Sequence, residues 1–520
     1  MKHFFLTAAA FLSTASLLLA QALPDRYRAD VFSSVSVTRG VTFSTNIPQV
    51  STIGIPGGGQ LANEETYGNV RITLRMDIYQ PQGDSATKRP VIIFCFGGGF
   101  IGGQRTAPPM VALAQDFARR GYVTASIDYR LGMNLTDPEK AKRAVYRAIQ
   151  DSRSAVRFFR NNAATYRIDP NQVFVSGHSS GGFVAYHNVY LDKESERPAS
   201  TFRQGRMADL GTLDAIGDNR TDASGNAISG KANGAMGFAG ALADLTLIEG
   251  PGDAPVSMFH SSDDRTVLYN TGEPFTDINF LPGLNLPIVS GGNPINTRAN
   301  VVGAPHIFYP YTNRGHDVHY NKSTGVLYPD IVPRGSGFFY DTRLKPAAAS
   351  IAGPATVCTS ALTQTYTVSG GAAYYDYQVV GGSIRNRNPR SNSVTVAWSR
   401  TASTRTLTAT PYSRQLAQGA PVSLTVTTTS CVTVADEVAL GRAAYPNPTQ
   451  GVLRVQLNPE TGPAATVQLL DKYGRSVAVP AQPDAQLAER VLDLSALPQG
   501  LYVLRIVDGQ QVSTQAIQKE

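Results

Sequence analysis

Four separated stretches carry residues able to do acyl-transfer chemistry. The first is Gly177-His178-Ser179-Ser180-Gly181-Gly182, between the apolar run Val173 to Val175 and a helical pattern of Phe183, Val184, Tyr186 and Val189. Strand, sharp turn and helix is the setting in which Gly-x-Ser-x-Gly lifts a serine hydroxyl out of a sheet, and small residues on both sides let neighbouring backbone approach. The amide of Ser180 then points toward a developing oxyanion. The second stretch is Gly97-Gly98-Gly99, after an apolar run. Only glycine lets backbone N–H groups lie so near a substrate, and losing one oxyanion donor typically costs about 3 kcal/mol of barrier. The third and the fourth supply a carboxylate and a base. Asp263 and Asp264 follow the run Pro255 to His260, where a carboxylate can orient an imidazole. His316 sits on a loop after the strand-like Ile307 to Tyr311, with Gly315 giving it freedom to turn; His319 is the reserve, and His306 lies at the wrong end of that strand.

These residues need a sheet to position them. Val70 to Tyr79 alternates apolar and polar residues, as a half-exposed strand does. Pro90 to Phe96 is apolar on both faces, as expected of a central parallel strand. A helix pattern over Pro109 to Arg120, a buried strand over Tyr122 to Asp128 and a long helix over Pro138 to Ala164 lead to the serine strand. Strands alternating with helices predict an α/β fold with a mainly parallel sheet and helices on both faces. The segment from Leu23 to Gln60 predicts only short β-like pieces and a Gly-rich loop.

At 520 residues the chain is long enough for two to four domains. The net charge of +7 comes from scattered Lys and Arg with no basic stripe, which argues against a nucleic-acid partner. Met1-Lys2-His3, an apolar run to Leu19 and Ala20-Gln21-Ala22 predict a signal peptide over residues 1–22. No later stretch is apolar for long enough to span a bilayer. The Asp- and Gly-rich segment Glu194 to Lys231 fails the spacing of an EF-hand and reads as a solvated insertion. Neither a metal nor an organic cofactor is expected.

From Val91 to about His316 the chain resembles the esterase/lipase branch of the α/β-hydrolase superfamily. Phe96-Gly97-Gly98-Gly99-Phe100 is similar to its His-Gly-Gly-Gly-Phe, Asp128-Tyr129-Arg130-Leu131 to its Asp-Tyr-Arg stretch, and Gly177 to Gly182 to its Gly-x-Ser-Ala-Gly-Gly. His260-Ser261-Ser262-Asp263-Asp264-Arg265-Thr266-Val267 resembles its His-Gly-x-x-Asp-x-x-Val, which favours Asp264 over Asp263. Phe96 departs from the pattern, standing where the branch has His, and the interval from Asp264 to His316 is long, with a Pro/Gly-rich piece (Pro274 to Pro294) suited to a lid or substrate wall. The resemblance implies a serine esterase with Ser179 as nucleophile, His316 as base and then acid, Asp264 orienting it, and the amides of Gly98, Gly99 and Ser180 as oxyanion donors. The substrate would be a small-molecule or polymeric ester. Two other readings stand beside it: a surface adhesion or glycan-binding protein with a silent hydrolase domain, and a serine peptidase on the same fold.

Beyond Lys345, Ala, Ser, Thr and Val dominate and strands come at short intervals, which predicts all-β sandwiches. Ile351 to Cys358 and Ser393 to Trp398 resemble the PKD-like, immunoglobulin-like modules of secreted proteins; without clustered aromatics, a spacer is expected over a glycan binder. A Cys358–Cys431 disulfide would close this module. Ala444-Tyr445-Pro446-Asn447-Pro448, Tyr473-Gly474 and Leu492 to Arg505 resemble the C-terminal sorting domain of the type IX secretion system of Bacteroidota. The expected order is signal peptide 1–22, hydrolase 23–345, PKD-like sandwich 346–432 and sorting domain 433–520. That resemblance implies Sec export, the type IX machinery as partner, and a secreted or surface-attached product.

Overall fold

The computed structural model describes residues 23–55, 58–275, 283–386, 388–430, 440–458, 461, 464–484, 489–509 and 511–520. The expected signal peptide therefore lies outside the described residues, as does Cys431. Residues up to Ala355 with Leu362–Thr427 make one compact unit, and Thr356–Ala361 with Thr428–Glu520 make a second.

The first unit is built on an eight-stranded sheet. In chain order its elements are β1 (Val35–Ile55), β2 (Gly59–Pro81), β3 (Arg89–Cys95), helix α1 (Pro108–Arg119), β4 (Val123–Ile127), α2 (Pro138–Asn161), β5 (Ile168–His178), α3 (Ser180–Tyr190), β6 (Ala235–Phe238), β7 (Val256–Ser261), α4 (Gly292–Val302), β8 (His306–Tyr311) and α5 (Ile331–Phe339). The strand order is β1-β2-β4-β3-β5-β6-β7-β8. From β4 through β8 the neighbours are parallel, with Cys95 level with Gly177 and Gly177 level with Gly237. β1 and β2 form an antiparallel edge. All seven residues of β3 and all five of β4 are buried, so both faces of the sheet are covered there. This is the mainly parallel α/β sheet that the alternating strands and helices predict.

The N-terminal edge differs from the sequence expectation. The short pieces expected before Gln60 are one long hairpin, whose pairing shifts register six times between Thr38 and Thr52. Each shift breaks the alternation by which a strand is read from sequence. The hairpin's end reaches the glycine loop: Gln60 N–H donates to Ile101 O at 2.7 Å and Ala62 N–H to Met133 O at 3.1 Å.

The module after Lys345 pairs a four-stranded antiparallel sheet with a three-stranded one. Strand Ser393–Trp398 alternates half-buried and buried residues, and Trp398 Nε1–H donates to Tyr366 Oη at 2.8 Å in the module core. Its Ser413–Gly419 turn packs onto the hydrolase. Ala417 belongs to the hydrolase core, Tyr27 Oη donates to Gln415 O at 2.6 Å, and Gln415 Nε2 donates to Asp169 Oδ2 at 2.5 Å. Cys358 is disulfide-bonded, while Cys95 is free and buried. The second unit holds two four-stranded antiparallel sheets around Leu453, Val455, Leu469, Leu492, Leu504 and Ile517. Among the described residues, no helix is long and apolar enough to cross a membrane.

Candidate functional site

Ser179 sits between the end of β5 and the start of α3 with φ 55° and ψ −121°. A non-glycine residue is strained there, so its surroundings must hold it. Ser179 N–H donates to Phe238 O at 2.9 Å, and Phe183 N–H donates to Ser179 O at 3.0 Å. The flanking glycines are required by contact: a Cβ on Gly177 would lie 2.4 Å from Gly181 C, and one on Gly181 would lie 2.1 Å from Cys95 O. The turn is thus wedged against the end of β3.

Gly98 (φ 137°) and Gly99 (φ 61°) leave β3 in conformations that side chains rarely adopt. Gly98 O accepts the N–H groups of Ile101 and Gly102, both at 3.0 Å, which fixes the loop. Ser180 opens α3, and its amide has no intrahelical acceptor. Gly98, Gly99, Ser179 and His316 line a common cleft, so the glycine loop, the serine and the imidazole are brought together.

Asp264 is buried, and its two oxygens divide their work. Oδ1 accepts the N–H groups of Thr266 at 2.9 Å and Val267 at 3.1 Å. Oδ2 accepts His316 Nδ1–H at 2.9 Å and His260 Nε2–H at 3.2 Å. Burial alone would raise the Asp264 pKa; hydrogen bonds and charge from His260 and His316 overcome it and hold the carboxyl well below the usual range. His316 Nδ1 is thereby committed to the carboxylate. Asp263 is instead exposed and accepts Gly315 N–H at 3.3 Å, so it steadies the His316 loop rather than the ring. His319 is buried, stacks on Phe238 at 4.9 Å, and has no hydrogen-bond partner at either nitrogen. It does not line the cleft.

His178 and Tyr129 join the site without a role assigned from sequence. His178 Nε2 lies 3.0 Å from His316 O, and burial, then the charge of His316, push its pKa down to about 3. Tyr129 Oη donates to Phe96 O at 2.8 Å and takes the hydroxyl of Ser180 at 3.1 Å. Phe96, standing where the resembled pattern has His, stacks on the Tyr129 ring at 4.2 Å. Arg130 anchors this segment: its backbone N–H and Nε each reach buried Asp151 Oδ2, at 2.8 and 2.9 Å. The Asp-Tyr-Arg stretch is the sequence signal for the Tyr129 and Arg130 contacts. Pro274, Phe275, Leu286, Pro287 and Val289 form one wall of a cavity beside Ser179, as expected of the Pro/Gly-rich piece. Among the described residues, no cluster of three or more His, Cys, Asp or Glu side chains is arranged to hold a metal ion.

Residues 76–277 match the BD-FAE family model, and residues 443–520 match the model of the secretion system C-terminal sorting domain. A neuroligin-like protein of Caenorhabditis elegans is 31% identical over 180 residues, 29% of this chain and 23% of that protein. A probable isoprenylcysteine alpha-carbonyl methylesterase of Arabidopsis thaliana is 29% identical over 111 residues, 21% of each chain. Secreted lipase 5 of Gibberella zeae is 26% identical over 182 residues, 32% of each. The chain therefore spans about a third or less of these relatives. Among solved structures, esterase 2 of Thermogutta terrifontis is similar at 22% identity and a TM-score of 0.39, covering 54% of this chain and 92% of that one.

Proposed function

We propose that this chain, which carries an α/β-hydrolase domain and a type IX sorting domain, is a secreted serine esterase. One observation carries the reading: His316 gives Nδ1–H to an Asp264 held ionised, while its ring shares a cleft with the strained Ser179. In this reading Ser179 Oγ attacks the ester carbonyl carbon and its proton passes to His316 Nε2. The carbonyl oxygen becomes an oxyanion facing the amides of Gly98, Gly99 and Ser180. The C–O bond to the alcohol breaks as His316 Nε2 returns the proton to the leaving oxygen. Water then attacks the acyl-serine, giving one proton to His316, and the acid leaves as Ser179 recovers its hydrogen. Every step uses this chain's own groups and water.

The sorting domain supports delivery by the type IX machinery to the cell surface or the medium. The boundaries 23–345, 346–432 and 433–520 remain our division of labour for the chain, with the middle module bracing the hydrolase as well as spacing it.

The test is hydrolysis of p-nitrophenyl esters by the full mature chain and by Ser179→Ala. Wild-type turnover reduced at least a thousandfold in a variant with an unchanged melting curve is the expected result. Retention of activity in Ser179→Ala would overturn the nucleophile assignment.

A further inference from the structure

Ser179 stands at the junction of two unlike cavities. A large one, about 500 Å³, is walled chiefly by apolar side chains, among them Phe100, Val145, Ile149, Phe183, Leu191 and Leu247. A smaller one, about 240 Å³, is lined by His178, Thr266, His316, Asp317 and Lys322. Ser179, Gly99 and Phe275 border both. Phe275 packs edge-on to the glycine loop, so that a Cβ on Gly99 would lie 2.9 Å from its Cζ.

We infer that the large cavity takes an extended apolar acyl group and the small cleft takes a compact polar alcohol. This rests on the serine-esterase reading. The orientation follows from the proton. His316 must reach the leaving oxygen to protonate it, and among the described residues His316 lines only the small cleft. The alcohol therefore leaves through that side, and the acyl chain, bonded to Ser179, extends into the other.

The two linings fit the groups so assigned. Lys142, Glu196 and Asp244 also line the large cavity, but each is engaged elsewhere. Lys142 pairs with Glu139 at 2.6 Å, Glu196 accepts the N–H groups of Asp192 and Lys193 at 3.0 Å, and Asp244 caps Thr246 N–H at 2.8 Å. What faces a ligand is mostly apolar wall, suited to a hexanoyl to decanoyl chain, and an acetyl group would leave most of it unfilled. The small cleft is instead lined by polar groups, Thr266 and the Lys322–Asp317 ion pair at 2.6 Å among them, a surface suited to a hydroxyl-bearing alcohol.

Two isomeric esters separate the sides. Ethyl hexanoate and hexyl acetate have the same atoms, with four methylenes moved from alcohol to acid. Each methylene taken up by the apolar cavity is worth about fourfold in kcat/KM, from about 0.8 kcal/mol per buried CH₂. The full mature chain is expected to prefer ethyl hexanoate by well over tenfold. In Val145→Phe, which narrows the large cavity, the ratio of hexanoate to acetate turnover on p-nitrophenyl esters is expected to fall at least tenfold. Equal rates on the isomers, or a preference for hexyl acetate, would overturn the subsite assignment and leave the esterase reading intact. No turnover of any ester, p-nitrophenyl acetate included, would overturn both.

Discussion

His260 Nε2 lies 3.2 Å from Asp264 Oδ2, on the carboxylate oxygen that His316 Nδ1 reaches at 2.9 Å. The tautomer of His260 is fixed from behind: its Nδ1 accepts Gly292 N–H at 3.1 Å, so the proton is on Nε2 and is shared with Val267 O at 2.9 Å. A histidine on a core strand thus becomes a second clamp on the carboxylate that orients the proposed base.

Replacing His260 by Leu removes that clamp and leaves Gly292 N–H and Val267 O without it. The expected result is a stability loss of about 1–3 kcal/mol and a fall in kcat of about tenfold, with KM little changed, because the Asp264–His316 pair loses its fixed geometry. His260→Gln, which keeps a side-chain N–H, should recover part of the rate. Steady-state kinetics and urea unfolding on the three proteins check this. Equal kcat in all three would reduce His260 to packing.

Tyr129 makes a comparable link on the other side of Ser179. Its hydroxyl runs a hydrogen-bond chain from Ser180 Oγ to Phe96 O, joining the helix start to the glycine loop. Tyr129→Phe keeps the stacking on Phe96 but breaks the chain. A loss of about 1–2 kcal/mol in stability and a drop in kcat of roughly tenfold are expected, since the amides aimed at the oxyanion lose their mutual positioning. Stability lost without any change in kcat would show that the loop holds its place by other means.

The middle module and the hydrolase should unfold together. Gln415 gives its amide N–H to Asp169 at the start of β5, some ten residues and about 30 Å along the strand from Ser179. Gln415→Ala leaves a buried carboxylate oxygen short of a donor, at a cost of about 1.5–3 kcal/mol. One cooperative calorimetric transition for this unit, shifted down by a few degrees with ester turnover at ambient temperature unchanged, is the expected result. Two transitions, with only the later-sequence one shifted, would mean the module unfolds by itself.

What the sequence made legible was local. The turn around Ser179, the Gly97–Gly99 loop and the buried strands β3 to β5 are each written in a few consecutive residues. Choosing Asp264 over Asp263 needed the wider resemblance, because a carboxylate's orientation depends on the loop that returns as His316. Long-range relations left no mark of that kind. The β1–β2 hairpin hides behind its register shifts, the docking of Ala417 into the hydrolase core is one small residue in a turn, and His260 reads as an ordinary strand residue. Each depends on pairings between segments far apart in the chain.

Three histidines should set the acid limit of the fold. Burial, then the charge of His316, pushes His178 down to about 3; burial pushes His187 down to about 4; burial, then the charges of His178 and His316, pushes His319 well below its ordinary value. His187 is also locked neutral, with Nδ1 on Phe183 O at 2.8 Å and Nε2 accepting Ala243 N–H at 3.2 Å. In the unfolded chain each imidazole takes up a proton near pH 6.5, whereas in the fold His187 does so only near pH 4, His178 near pH 3, and His319 well below its ordinary value. The unfolded state therefore binds up to three more protons in that window. Stability is fully present above about pH 6.5 and falls between there and pH 4, by up to about 4 kcal/mol per pH unit. Depressed Asp264 adds to the loss only below about pH 4, where the unfolded carboxyl protonates. His319→Phe replaces a ring with no polar partners by an apolar one of similar shape against Phe238. It should raise stability at pH 8 by about 1 kcal/mol or more and cut the acid slope by about a third. Urea unfolding from pH 8 to pH 4 reads both quantities, and an unchanged slope in His319→Phe would mean that this ring already carries its proton in the fold.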